Sequence, residues 1–236
     1  MPETLSIAVC MSDEVTLSDF IPPMELLASV NQADDLLFGA EINACMPEGV
    51  PVRFTIDYMA PKMQPVVAFQ GLIEPTINPT MTYRDAIDQG KQFDILWCPA
   101  GPLPDLTTLV HRFPEDELEF IRMQAPKARY LMSVCAGSHQ LALAGVLSGK
   151  RATTNKKFFK LIGMASPKDI EWVPRARWVV DGNVWTSSGV SAGGDMALAF
   201  IEHLTNAAVA RLIRSVAEVQ ESAQDDDPFA EIHGLV

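Results

Sequence analysis

An apolar, β-prone run, Tyr130-Leu131-Met132-Ser133-Val134, stops at Cys135. The small residues Ala136 and Gly137 follow at once, and then the helix-forming Gln140-Leu141-Ala142-Leu143-Ala144. The order is strand, sharp turn, helix, with a thiol at the apex. Such a nucleophile elbow lifts one side chain above the carboxyl edge of a sheet, and crowding at the turn demands small neighbours. A helix starting beneath the sulfur aims free N–H groups and a positive dipole end at it, and both favour the thiolate. This predicts that Cys135 is the most reactive of the four thiols. The plainer alternative is a buried structural cysteine, since free Cys is among the most buried residue types.

The rest of the chain repeats the alternation. Leu5–Cys10 reads as a buried strand, and Pro22-Pro23 suits the first turn of a helix running to about Asn31. Residues 52–59 and 93–98 read as further strands, the second ending in the turn Pro99-Ala100-Gly101-Pro102. Proline and β-branched residues between Pro61 and Thr82 predict a small hairpin excursion. Helices are expected over 115–125, 193–204 and 207–221, a hairpin over 178–186 with an Asp-Gly-Asn turn, and short strand character at 152–154. Gly189-Val190-Ser191-Ala192-Gly193-Gly194 reads as a helix-entry turn rather than a phosphate loop. Strands alternating with helices imply an α/β fold: a largely parallel central sheet with helices on both faces, a flavodoxin-like sandwich. At 236 residues, one domain over 1–236 suffices. The acidic segment 222–236 is expected to be a solvated end.

Composition excludes several classes of function. A net charge of −12 argues against general nucleic-acid binding. The N-terminus lacks the basic and apolar regions of a signal peptide, and no apolar run reaches membrane-span length. Cys10, Cys45, Cys98 and Cys135 are widely spaced, as are His111, His139, His203 and His233. That pattern predicts free thiols in a reducing, cytoplasmic setting, with neither a disulfide framework nor a metal site.

A cysteine enzyme needs a proton carrier. His139, four residues past Cys135, points about one turn along the helix and is expected to be packed or at a rim. Asp19, after the first strand and before the Pro22-Pro23 helix, is the stronger candidate. Its plainer role is a helix N-cap, which is compatible with catalysis because both need a carboxylate at a loop mouth. Phe20, Ile21, Ala100, His139, Phe158 and Phe159 are candidate pocket residues.

Five segments together resemble the ThiJ/PfpI superfamily, and most of all its isocyanide hydratase branch and fungal relatives. They are Asp19-Phe20-Ile21-Pro22-Pro23, Pro99-Ala100-Gly101, residues 133–137, residues 149–154 and residues 185–198. The resemblance implies Cys135 as nucleophile and Asp19 as the acid that hydrogen-bonds and protonates. It implies backbone N–H groups near Gly101 and Ala136 as the anion-stabilising site. It further implies a cofactor-free homodimer acting on a small molecule, with isocyanide hydration to an N-substituted formamide as the reaction. Glyoxalase-like or other hydrolase and lyase chemistry on a small carbonyl electrophile, or a non-enzymatic redox sensor, are the alternatives. Three positions depart from the branch. Ala100 stands where glycine is common, Ala136 where threonine follows the cysteine, and Asn155 where histidine often follows Thr153-Thr154.

Overall fold

The computed structural model describes residues 1–35, 38–68 and 75–236. The chain opens with β1 (Glu3–Cys10), a 3-10 turn over Leu17–Asp19, α1 (Ile21–Ser29) and α2 (Gly39–Cys45). Next come β2 (Val52–Ala60), the short strands β3 (Val66–Val67), β4 (Thr76–Ile77) and β5 (Met81–Thr82), and α3 (Tyr83–Asp88). The centre is β6 (Ile95–Cys98), α4 (Glu115–Gln124), β7 (Tyr130–Ser133) and α5 (Ser138–Leu143). The last part holds β8 (Arg151–Ala152), α6 (Phe159–Ala165), β9 (Glu171–Trp172), β10 (Trp178–Asp181) and β11 (Val184–Ser187). It closes with α7 (Val190–Leu204), α8 (Ala207–Ala217) and α9 (Phe229–Ile232).

Seven strands form the main sheet in the order β10-β11-β7-β6-β1-β2-β5. All neighbours are parallel except the β10–β11 hairpin. Each parallel strand is apolar on both sides because helices cover both faces. The alternation is visible in the core. Ile7, Val9, Ile95 and Trp97 pack with Met24, Leu27, Phe200 and Ile201 of α1 and α7. Ala8, Cys10, Leu96 and Cys98 pack with Tyr83, Phe120, Ile121 and Leu141 on the opposite face. Burying each large side chain contributes about 1.5–3 kcal/mol. Reading β2-β1-β6-β7-β11 across the sheet gives the flavodoxin-like order, whose switch point lies between β1 and β6. Loops after β1, β6 and β7 therefore meet at one crevice.

Several boundaries differ from the sequence expectation. Helix α1 ends at Ser29, and residues 30–34 tighten into a 3-10 turn. Helix α8 stops at Ala217 because Glu218 adopts a left-handed φ of 52°. Helix α7 begins at Val190, directly after the N-cap Gly189, so the glycine-rich segment is a helix entry as expected. The excursion is an antiparallel β3–β4 pair, and its expected tip, residues 69–74, lies outside the described residues.

The acidic end is largely exposed but is anchored at two buried residues, Asp227 and Ala230. Asp227 meets Lys156 at 3.1 Å, with both side chains only 1% exposed, and Ala230 is fully buried. The Arg177 N–H donates to the Gln224 carbonyl at 2.7 Å. A buried ammonium needs a counter-charge, and the chain end supplies it.

Candidate active site

Cys135 sits immediately after Val134 at the end of β7, with φ at +59°. For a residue with a Cβ this left-handed conformation costs roughly 1–2 kcal/mol, so the surroundings must impose it. They do so from both sides. The Cys135 N–H donates to the Ser188 carbonyl, and the Thr154 hydroxyl donates to the Cys135 carbonyl at 2.9 Å. Gly137 completes the turn. A Cβ there would sit 2.0 Å from the Cys98 carbonyl oxygen, so the elbow can press onto the end of β6 only with glycine.

The thiol is nearly enclosed, at 8% exposure. Its pKa is pushed up to about 12, first by burial and then by the Asp19 charge. The Ala136 backbone N–H and the Asn155 side chain pull it back only partly. Burial thus opposes the thiolate that the helix start favours, and only a 3-10 turn and the six-residue α5 follow the sulfur. Cys45 is more exposed than Cys135.

Asp19 ends the 3-10 turn that precedes α1, and it is fully buried. It is not a helix cap: α1 has Phe20 at its N-cap position and no side-chain capping bond. Asp19 Oδ2 accepts the Ala100 N–H at 3.0 Å, and its carbonyl accepts the Trp97 indole N–H at 3.0 Å. Trp97 is itself wholly buried in β6, so the sheet core fixes the acid's position. Oδ1 is buried with no hydrogen-bond partner among the described residues. Burial, opposed by the Ala100 N–H, pushes the Asp19 carboxyl up to about 7. The Asp19 charge acts on the Cys135 thiol electrostatically, while the hydrogen bond between them that the resemblance implies is not formed among the described residues.

The remaining candidates divide. The Ala100 N–H is committed to Asp19, whereas the Gly101 N–H has no acceptor among the described residues. Gly101 also packs tightly, since a Cβ there would meet Phe113 at 2.9 Å and Ser12 at 3.0 Å. Phe20 lies in the core at 0% exposure, and Ile21 and Phe158 pack against the same cluster. Phe159 meets the Trp172 ring edge-on at 6.2 Å. His139 is buried, with Nδ1 3.1 Å from the Ser166 hydroxyl and its ring 5.8 Å from Phe113. Burial and then the neighbouring His111 push it down to about 4, so it is a neutral packing residue at physiological pH.

The sequence reading missed Asn155 as a site residue. Its Nδ2 donates to Cys135 Sγ at 3.2 Å. Asn155 also lines a cavity of about 370 Å³ together with Lys157, Ser188, Gly189, Ser191 and His233. The signal was present as the departure after Thr153-Thr154, but a search for proton carriers passes over an amide.

Comparison with known proteins places these features in a family. The DJ-1/PfpI family pattern matches residues 5–203. An isonitrile hydratase from Pseudomonas putida is 37% identical over 155 residues, covering 64% of this chain and 59% of that protein. This chain thus aligns with about three fifths of that curated relative. A THiJ/PfpI family protein from Pseudomonas syringae superposes with a TM-score of 0.65 at 24% identity, over 94% of this chain and 77% of its own. Drosophila melanogaster DJ-1beta superposes with a TM-score of 0.67 at 17% identity, over 93% of this chain and 100% of its own. These two likenesses speak to the fold.

Proposed function

We propose, for a chain that belongs to the DJ-1/PfpI family, that Cys135 and Asp19 hydrate an isocyanide to an N-substituted formamide. The observation that carries this is the fully buried Asp19 carboxyl with one unpartnered oxygen, whose charge acts on the enclosed elbow thiol. The similarity to an isonitrile hydratase supports the choice of substrate. The proton begins on sulfur. Asp19, ionised, takes it as Sγ bonds to the terminal carbon of R–N≡C. The resulting carboxylic acid returns the same proton to that carbon, leaving the thioimidate R–N=CH–S–Cys135. Water then adds to this carbon as Asp19 takes one of its protons and passes it to the nitrogen, giving R–NH–CH(OH)–S–Cys135. Collapse breaks the C–S bond while Asp19 carries the hydroxyl proton to the departing sulfur, which releases R–NH–CHO and restores the thiol and the carboxylate. The net change is addition of one water.

A carboxyl with a pKa near 7 suits both halves of this cycle, since it accepts and donates a proton with little driving-force penalty. The free Gly101 N–H and the Ala136 N–H are the donors to developing negative charge. Asn155, which reaches the sulfur, also borders the cavity. A peroxide-sensing role fits less well, because sensor thiols are exposed and ionised and this one is neither. The same reading carries a homodimer that needs no cofactor. Light scattering checks the first, and turnover by protein stripped with a chelator checks the second. The assay for the reaction is formamide production from a simple alkyl isocyanide, run beside methylglyoxal. Consumption of methylglyoxal alone would replace hydration with glyoxalase-like chemistry.

A further inference from the structure

We infer that Asn155 is a further catalytic residue, whose amide N–H holds the Cys135 sulfur as negative charge develops on it. This rests on Cys135 being the nucleophile. The geometry is specific. Nδ2 lies 3.2 Å from Sγ, while Oδ1 accepts the Lys157 backbone N–H at 3.0 Å. The second bond decides which end of the amide faces the sulfur, because only the oxygen can accept from Lys157. Thr154, the preceding residue, clamps the Cys135 carbonyl, so residues 154 and 155 grip the elbow at its carbonyl and its sulfur.

The chemistry fits the rest of the site. Residue 136 is alanine and offers no hydroxyl to the thiol, which leaves its backbone N–H and the Asn155 amide as the donors at sulfur. An amide neither gains nor loses a proton near neutral pH. Asn155 therefore stabilises charge without competing with Asp19 for the proton. A charge-assisted hydrogen bond is about twice as strong as a neutral one, so its effect grows as the thiol becomes thiolate. Asn155 also borders the cavity, and one Nδ2 proton suffices for Sγ.

The test is the rate of Cys135 alkylation by iodoacetamide against pH, read by peptide mapping so that Cys45 is scored separately. Asn155→Ala removes the donor. Asn155→Asp keeps the shape and replaces the donor with a negative charge. The expected result is alkylation about tenfold slower at pH 9 in Asn155→Ala and slower still in Asn155→Asp. An unchanged profile in Asn155→Ala, or faster alkylation in Asn155→Asp, would overturn the inference. If Asn155→Ala does not fold, the near-isosteric Asn155→Asp carries the test alone. Wild-type protein that shows this dependence yet hydrates no isocyanide loses the proposed reaction and keeps the role of Asn155. Isocyanide turnover with unmoved alkylation profiles loses Asn155 alone.

Discussion

Replacing Asp19 with asparagine separates proton transfer from electrostatics, because the two respond in opposite directions. Asn fills the same volume, and its oxygen still accepts the Ala100 N–H, so the turn held by Trp97 survives. The base is lost. With the wild-type thiol near 12, thiolate at pH 7.5 is a fraction of roughly one in ten thousand or less, so uncatalysed ionisation cannot sustain turnover. General acid–base catalysis is worth about 10²–10⁴, and we expect kcat/KM to fall at least 100-fold. The thiol itself loses a like-charged neighbour, so its alkylation at pH 9 speeds up severalfold. The pH profile adds a third reading. Wild-type kcat/KM rises as Asp19 ionises around pH 7 and holds above it, and the variant lacks this limb. Initial rates across pH 5–9 and peptide-mapped alkylation provide all three. Full turnover in a folded Asp19→Asn protein, or alkylation that slows, would refute the proton-transfer argument.

Other consequences follow from burial and close packing. Glu117 is wholly buried with both oxygens 2.7 Å from the Ser12 hydroxyl, and burial pushes it up to about 8. Its folded pKa lies above its unfolded one, so its contribution is complete below about pH 4.5 and is lost as pH rises towards 8. The thermal midpoint should fall over that range by the equivalent of a few kcal/mol, and Glu117→Gln should flatten the fall. Gly137→Ala drives a methyl onto the Cys98 carbonyl and should cost about 3 kcal/mol or more in denaturant unfolding, or prevent folding. Asp227→Ala strands the Lys156 ammonium and should destabilise by about 3 kcal/mol near neutral pH, less as pH rises and Lys156 deprotonates. Proteolysis in the segment after Glu221 should quicken in the same variant.

The architecture was legible because it rests on local periodicity. Parallel strands buried on both faces leave unbroken apolar runs such as Leu5–Cys10, and the elbow leaves its small residues in a fixed order after Cys135. Asp19 was legible as a carboxylate at a loop mouth, but its environment was not. The residue pattern before Pro22-Pro23 suits a cap, whereas the extra 3-10 turn over Leu17–Asp19 rotates the side chain to the Ala100 N–H. The burial of the thiol was illegible for a related reason. A helix start is visible in sequence, but desolvation depends on the tertiary packing around the sulfur. Asn155 lies 20 residues beyond Cys135 and meets it only through the tertiary fold. The docked end around Asp227 is equally non-local, since its partner Lys156 reads in sequence as an ordinary surface charge.

The most direct test of the central claim is proton NMR of the protein with a simple alkyl isocyanide, following the formyl proton of the product, together with intact-mass analysis of the quenched reaction. The account predicts multiple-turnover formamide production by the wild type, an adduct of substrate mass on the Cys135 peptide, and neither signal in Cys135→Ala. Formamide made at an undiminished rate by Cys135→Ala, or none made by the wild type, would contradict it.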